Sequence, residues 1–216
     1  MSAGGSALRW GQERRRAARR GPWRWLLARL GLSASARRAD ALAARTALGA
    51  EWEQYTARML SPLEAVGWRV LHDRRLPGRG TANLDHVLVS PCGTAVVVLD
   101  TKRWDRSRTT SLIRGRVCVG AEDRHRQVEA VARYAARAAE AIGVPGVVVW
   151  PLLVVHGSWV AGGRLEARAA AWDGPVWVLG PDFLVPTLAK APAGRDPVRA
   201  GRLARRVDEV LRPYAG

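Results

Sequence analysis

The sequence predicts an α/β protein of the α+β kind, with a mixed sheet flanked by helices. Three observations lead there. Short apolar segments with strand alternation cluster between positions 68 and 119. A long amphipathic stretch over 123–142 reads as a helix, and an apolar run over 147–156 follows it as a buried strand. Strand, helix and strand in that order place a crossover helix on the face of a sheet.

Taken in order, residues 50–66 suit a helix ending at Gly67, with Ser61-Pro62 as a kink or break. Residues 68–72 form a short strand, and 74–81, with Pro77, Gly78 and Gly80, form a loop. Residues 83–90 and 94–102 are two strands joined at Pro91-Cys92-Gly93. A second hairpin spans 112–119 with Gly115 at its middle. The helix over 123–142 is N-capped near Glu122-Asp123 and closed by Gly143. Two short strands over 164–179 surround Asp173-Gly174-Pro175, and helices over 182–189 and 196–211 close the chain.

Residues 1–48 differ from the rest. They carry eleven Arg against Glu13 and Asp40, a net charge of +9, with Trp10, Trp23 and Trp25 interleaved. Trp23, Leu26, Leu27 and Leu30 recur at helical spacing, so this basic arm is expected to be partly helical or a poorly ordered tail. Residues 49–216 are then the folded domain.

The 216 residues carry a formal net charge of +16. A polyanion such as nucleic acid is the first partner this implies, and an anionic membrane surface reached through the Trp/Arg-rich arm is the second. No uninterrupted apolar run reaches the roughly 18 residues a membrane span needs. Two cysteines, Cys92 and Cys118, point to buried thiols in a reducing, cytoplasmic setting. There is no His/Cys set with zinc spacing, no phosphate-binding Gly-rich loop before a helix, and no nucleophile elbow.

The hairpin around Cys92-Gly93 locates the candidate site. A two-residue loop pairs Pro91 with Thr94, and a four-residue loop pairs Ser90 with Ala95. In both registers paired numbers sum to 185, which sets Asp85 opposite Asp100 with Cβ atoms about 5 Å apart. Lys102, two residues beyond Asp100, leaves the strand on the same face. A three-residue loop would break this register. Two opposed carboxylates repel unless a cation sits between them, and Mg²⁺ or Mn²⁺ suits oxygen ligands. Such a set fits phosphodiester hydrolysis, with Lys102 orienting water or stabilising developing charge. Of the 35 basic residues only Lys102 and Lys190 are lysine, so the choice of lysine here reads as a requirement.

These residues resemble the nuclease-related domain (NERD) family, a branch of the PD-(D/E)XK superfamily, over roughly 49–160. The resemblance runs from Gly49-Ala50-Glu51-Trp52-Glu53, through Ala82-Asn83-Leu84-Asp85-His86-Val87-Leu88-Val89, to Leu99-Asp100-Thr101-Lys102-Arg103-Trp104. It implies a restriction-endonuclease-like core, DNA as substrate and a divalent metal. It maps the metal-holding carboxylates onto Glu53, Asp85 and Asp100, and the catalytic lysine onto Lys102. Glu51 rivals Glu53, because Trp52 stands where the family's glycine is expected. Asp100 stands where many members carry Glu. Related nucleases place a glutamine on a helix near the site, which makes Gln127 a secondary candidate. The family includes members without shown turnover, so a catalytically silent nucleic-acid-binding or scaffold protein is the alternative reading.

The remaining histidines are assigned no site role. His86 points away from Asp85, His72 and Asp73 end a strand, His125 lies on a solvated face, and His156 has no evident partner.

Overall fold

In the computed structural model, residues 3, 5–18, 20, 34–78, 82–190 and 194–214 are described. The predicted helical segment around Trp23 to Leu30 lies outside them.

Helix α1 spans Gly5–Ala18 and α2 spans Ala34–Leu60. The helix predicted from residue 50 is thus the second half of a longer one that runs through positions 48 and 49 unbroken. Gly11 lets α1 approach α2 closely, since a Cβ there would lie 2.3 Å from the Thr46 hydroxyl. Arg15 pairs with Asp40 at 2.8 Å across the two helices. Ser61-Pro62 ends α2 and starts the single turn α3, Pro62–Ala65, as proline at a first helical position permits.

Strands β1 (Arg69–Arg75), β2 (Asn83–Val89) and β3 (Ala95–Arg103) form an antiparallel meander. β1 runs three residues beyond the predicted end. Asp73 interrupts its ladder with a left-handed φ of 55°, and pairing resumes at Arg74. The β2–β3 register is the predicted one: His86 faces Leu99 and Val89 faces Val96. The four-residue loop is the one formed, with Ser90 N–H donating to Ala95 O at 2.9 Å.

β4 (Thr109–Ile113) and β5 (Arg116–Val119) make the second hairpin, which starts earlier than expected. Its turn is Arg114-Gly115, both with positive φ, the geometry that matches strand twist. Glu122 and Asp123 form the short strand β6 rather than a helix cap, and α4 runs His125–Ile142. Asp123 still serves the helix start, accepting from His125 N–H at 2.8 Å. Gly143 closes α4 in the left-handed conformation.

β7 (Val148–His156) pairs parallel with β3, and β8 (Trp159–Val160) pairs parallel with β4. β9 (Arg164–Ala169) and β10 (Trp172–Leu179) complete the main sheet. Asp173-Gly174-Pro175 lies in a register shift inside β10, not in a turn between strands. Gly and Pro mark bulges as readily as turns. Helices α5 (Pro181–Ala189) and α6 (Pro197–Val210) follow as expected, with Asp196 capping α6 through Arg199 N–H.

The main sheet has the order β1-β2-β3-β7-β10-β9; the smaller one has the order β6-β5-β4-β8. The main sheet is covered on both faces. Val97, Leu99, Leu152 and Val154 pack with Leu60, Leu63 and Leu184 of α2, α3 and α5. Val96, Val98 and Val149 pack with Val131, Ala135 and Ile142 of α4 and with Leu203 and Val207 of α6. Each such Val or Leu contributes about 1.5–3 kcal/mol on burial. That alternation along β3 sets which side chains leave the sheet where the apolar run stops, at Asp100. Both cysteines are free; Cys118 is buried as expected and Cys92 only half-buried. Among the described residues, no helix is long and apolar enough to cross a membrane.

Candidate active site

The site lies at the C-terminal end of β3, where β2 and β3 stop pairing through their backbones. The last ladder pair is His86 and Leu99. One step further, the Asp85 carboxylate takes over: its Oδ2 accepts the Thr101 N–H at 2.7 Å. A side chain thus fills the place of a strand partner, and Asp85 is held against the backbone between Asp100 and Lys102. Lys102 Nζ forms an ion pair with Asp100 Oδ2. Both side chains are largely buried, at 31% and 15% exposure, yet reachable from solvent.

Glu53 of α2 joins this group electrostatically. Burial raises its carboxyl to about 7; Lys102 works against that rise, while Asp100 and Asp73 add to it. Asp85 is held well above the usual carboxylate range, first by burial and then by Asp100 and Glu53, against the opposing pull of Lys102 and the Thr101 N–H. Burial alone would lower the Lys102 ammonium, but Asp100, Asp85 and Glu53 outweigh it and hold it above its ordinary value. The structure therefore brings Glu53, Asp85, Asp100 and Lys102 into one electrostatic unit. Glu51 is exposed on α2 and takes no part in it.

Gln127 lies against the residue that follows the site strand. Its Oε1 accepts from Trp104 Nε1 at 3.1 Å, so it fixes the indole that follows the site strand.

Three groups around the site were not legible beforehand. Asp73, buried within β1, accepts from Asn83 Nδ2 at 2.6 Å and adds negative charge near Glu53. Its left-handed backbone suits Asp better than most residues, but no local pattern distinguishes it from a strand end. Second, Thr56 of α2 touches β3 and β7 together: Thr101 Oγ1 donates to Thr56 Oγ1 at 3.1 Å, and His156 Nε2 lies 2.8 Å away. The Thr56 hydroxyl proton goes to Trp52 O at 3.0 Å, so His156 must donate from Nε2. His156, expected to lack a partner, thus has one, and its ring also packs against Trp52 and Tyr55 at 5.0 and 5.4 Å. This latch sets the α2 turn carrying Glu53 against the site strand. Third, His72 Nδ1 and His86 Nδ1 meet at 2.8 Å behind Asp85. Burial and mutual repulsion hold His86 well below the usual histidine range. His125 is buried rather than solvated, its Nδ1 accepting from Val117 N–H at 3.3 Å.

The donor set suits a hard divalent cation. Three carboxylates stand against one ammonium, and two of them are pushed toward protonation by their mutual repulsion and burial. Among the described residues, no three His, Cys, Asp or Glu side chains form a ready cage. Mg²⁺ needs no such cage, since it is commonly held by one or two carboxylates, with waters and substrate phosphate completing its shell.

Comparison with known proteins gives a family match. The family model described as nuclease-related domain covers residues 48–156, which are 109 of the 216 positions. No curated protein and no solved structure matches.

Proposed function

Since the chain belongs to the nuclease-related domain (NERD) family, we propose that it binds DNA and hydrolyses phosphodiester bonds at the Asp85–Asp100–Lys102 site with Mg²⁺ or Mn²⁺. The observation that carries this reading is the Asp85 carboxylate fixed on the Thr101 N–H between Asp100 and its ion-pair partner Lys102, within electrostatic reach of Glu53. Such an excess of carboxylate has no structural use that an apolar core would not serve better.

Asp85, Asp100 and Glu53 would hold the cation, which when bound would supply Lewis acidity toward a phosphoryl oxygen and acidify water. The Thr101 N–H keeps Asp85 oriented. Lys102, paired with Asp100, would donate to the developing charge on a phosphoryl oxygen or orient the attacking water. The net charge of +16 supplies sequence-independent attraction to the DNA backbone, which weakens steeply with salt. Residues 1–48, with a net charge of +9, act as a basic arm in that attraction.

Nicking of supercoiled plasmid tests this reading. Wild type is expected to nick in Mg²⁺ or Mn²⁺ and not in EDTA, and Lys102→Ala to lose the activity. A second reading is a DNA-binding scaffold that keeps the fold without turnover. DNA affinity with no cleavage across metals and DNA forms would select it.

A further inference from the structure

Trp159 is 62% exposed. An indole on a mobile tip would need no explanation, but this one is rigidly mounted. Its neighbours Ser158 and Val160 are both buried. Ser158 Oγ donates to Arg108 O at 2.7 Å and lies 2.7 Å from Thr110 Oγ1, while Trp159 itself pairs with Thr109. The mount is joined to the end of the site strand. Trp104 N–H donates to His156 O at 2.9 Å. Gly157, with φ of 84°, passes so near Trp104 O that a Cβ would lie 2.4 Å from it.

Val155 pairs with Lys102, and Trp159 is four residues further on. That keeps the Trp159 backbone within about 14 Å of Val155, the strand neighbour of Lys102, a span of a few stacked nucleotides. The surrounding stretch is cationic. Residues 103–116 hold Arg103, Arg106, Arg108, Arg114 and Arg116 against the single acid Asp105. Arg108 answers Asp105 and Arg116 answers Asp123. Arg106 and Arg114 are exposed and have no ion pair among the described residues.

We propose that Trp159 and the arginine-rich segment it pairs with form a stacking ridge for a single-stranded segment of DNA entering or leaving the site. This rests on the nuclease reading and names its substrate class: DNA with unpaired nucleotides a few positions from the cleaved bond. A duplex hides its base faces within the stack, whereas an unpaired base offers one to an indole, and flanking arginines meet its phosphates.

The test is the anisotropy of fluorescein-labelled oligothymidylate and of a labelled duplex, measured in EDTA with the full chain. Trp159→Ala is expected to weaken oligothymidylate binding about tenfold, with duplex affinity and circular dichroism unchanged. Trp159→Phe, which keeps an aromatic face, is expected to retain most of the affinity. An unchanged oligothymidylate affinity in Trp159→Ala, or an equal loss on both DNAs, overturns the ridge. Absence of cleavage of both plasmid and single-stranded DNA in Mg²⁺ or Mn²⁺, alongside a Trp159-dependent preference for single strands, removes the nuclease reading and leaves the ridge standing.

Discussion

Asp85 and Thr101 meet where the β2–β3 ladder ends, the Asp85 carboxylate accepting the Thr101 N–H at 2.7 Å. This contact orients a carboxylate that burial, Asp100 and Glu53 hold well above the usual carboxylate range, and it opposes that rise.

Lys102→Ala and Lys102→Arg are both expected to reduce metal-dependent DNA cleavage by about a hundredfold or more. The arginine variant fails because a wide planar fork does not replace a compact ammonium wedged against Asp100. Single-turnover cleavage rates, with circular dichroism as the fold control, check this. Near-normal cleavage by Lys102→Arg would show that only charge matters.

Thr56→Val removes the hydroxyl joining Trp52, Thr101 and His156 while keeping the side chain's shape. The expected cost is about 1–3 kcal/mol of stability, because the His156 N–H is left buried without an acceptor. Cleavage is expected to fall further than folded fraction explains, since the turn bearing Glu53 loses its link to β3. Urea unfolding beside cleavage rates separates the two effects.

Glu53 gives the metal-free protein a defined pH signature. Its carboxyl is raised from 4.5 to about 7, chiefly by burial, so the folded state holds a proton that the unfolded state has released. That contribution is fully present below about pH 4.5 and is lost as pH rises to about 7. Glu53→Gln is therefore expected to gain on wild type across that interval, by at most about 3 kcal/mol. Urea midpoints in EDTA at several pH values check it; a constant difference would contradict it.

His156 acts in the opposite sense. Burial lowers it from 6.5 to about 4, so the unfolded chain takes up a proton first, and stability is lost as pH falls from about 6.5 toward 4. His156→Gln is expected to be less stable than wild type at pH 7, with the gap narrowing on acidification. Because the two groups oppose each other over one interval, each is read as a difference between variant and wild type.

The site is legible in the sequence through the hairpin. Its register depends on a local loop, and the ladder keeps the sum of 185 as far as His86 and Leu99; the expected Asp85–Asp100 pair does not form, because the Asp85 carboxylate takes the Thr101 N–H instead. Glu53 needed the family resemblance, because nothing local separates it from Glu51; burial and electrostatic coupling do. Thr56 and His156 are 100 residues apart, and no periodicity announces such a contact. Asp73 was read as a strand end because its turn of backbone sits inside a strand that resumes. The Asp173-Gly174-Pro175 turn was misplaced for a similar reason, since breaker residues do not say whether a strand ends or bulges.

The most direct test of the central claim is calorimetric titration of Mn²⁺ into wild type and into Asp85→Asn. The account predicts a saturable binding signal in wild type that is absent or greatly weakened in a folded Asp85→Asn. Equal binding by both, or none by wild type in the presence of DNA, would contradict it.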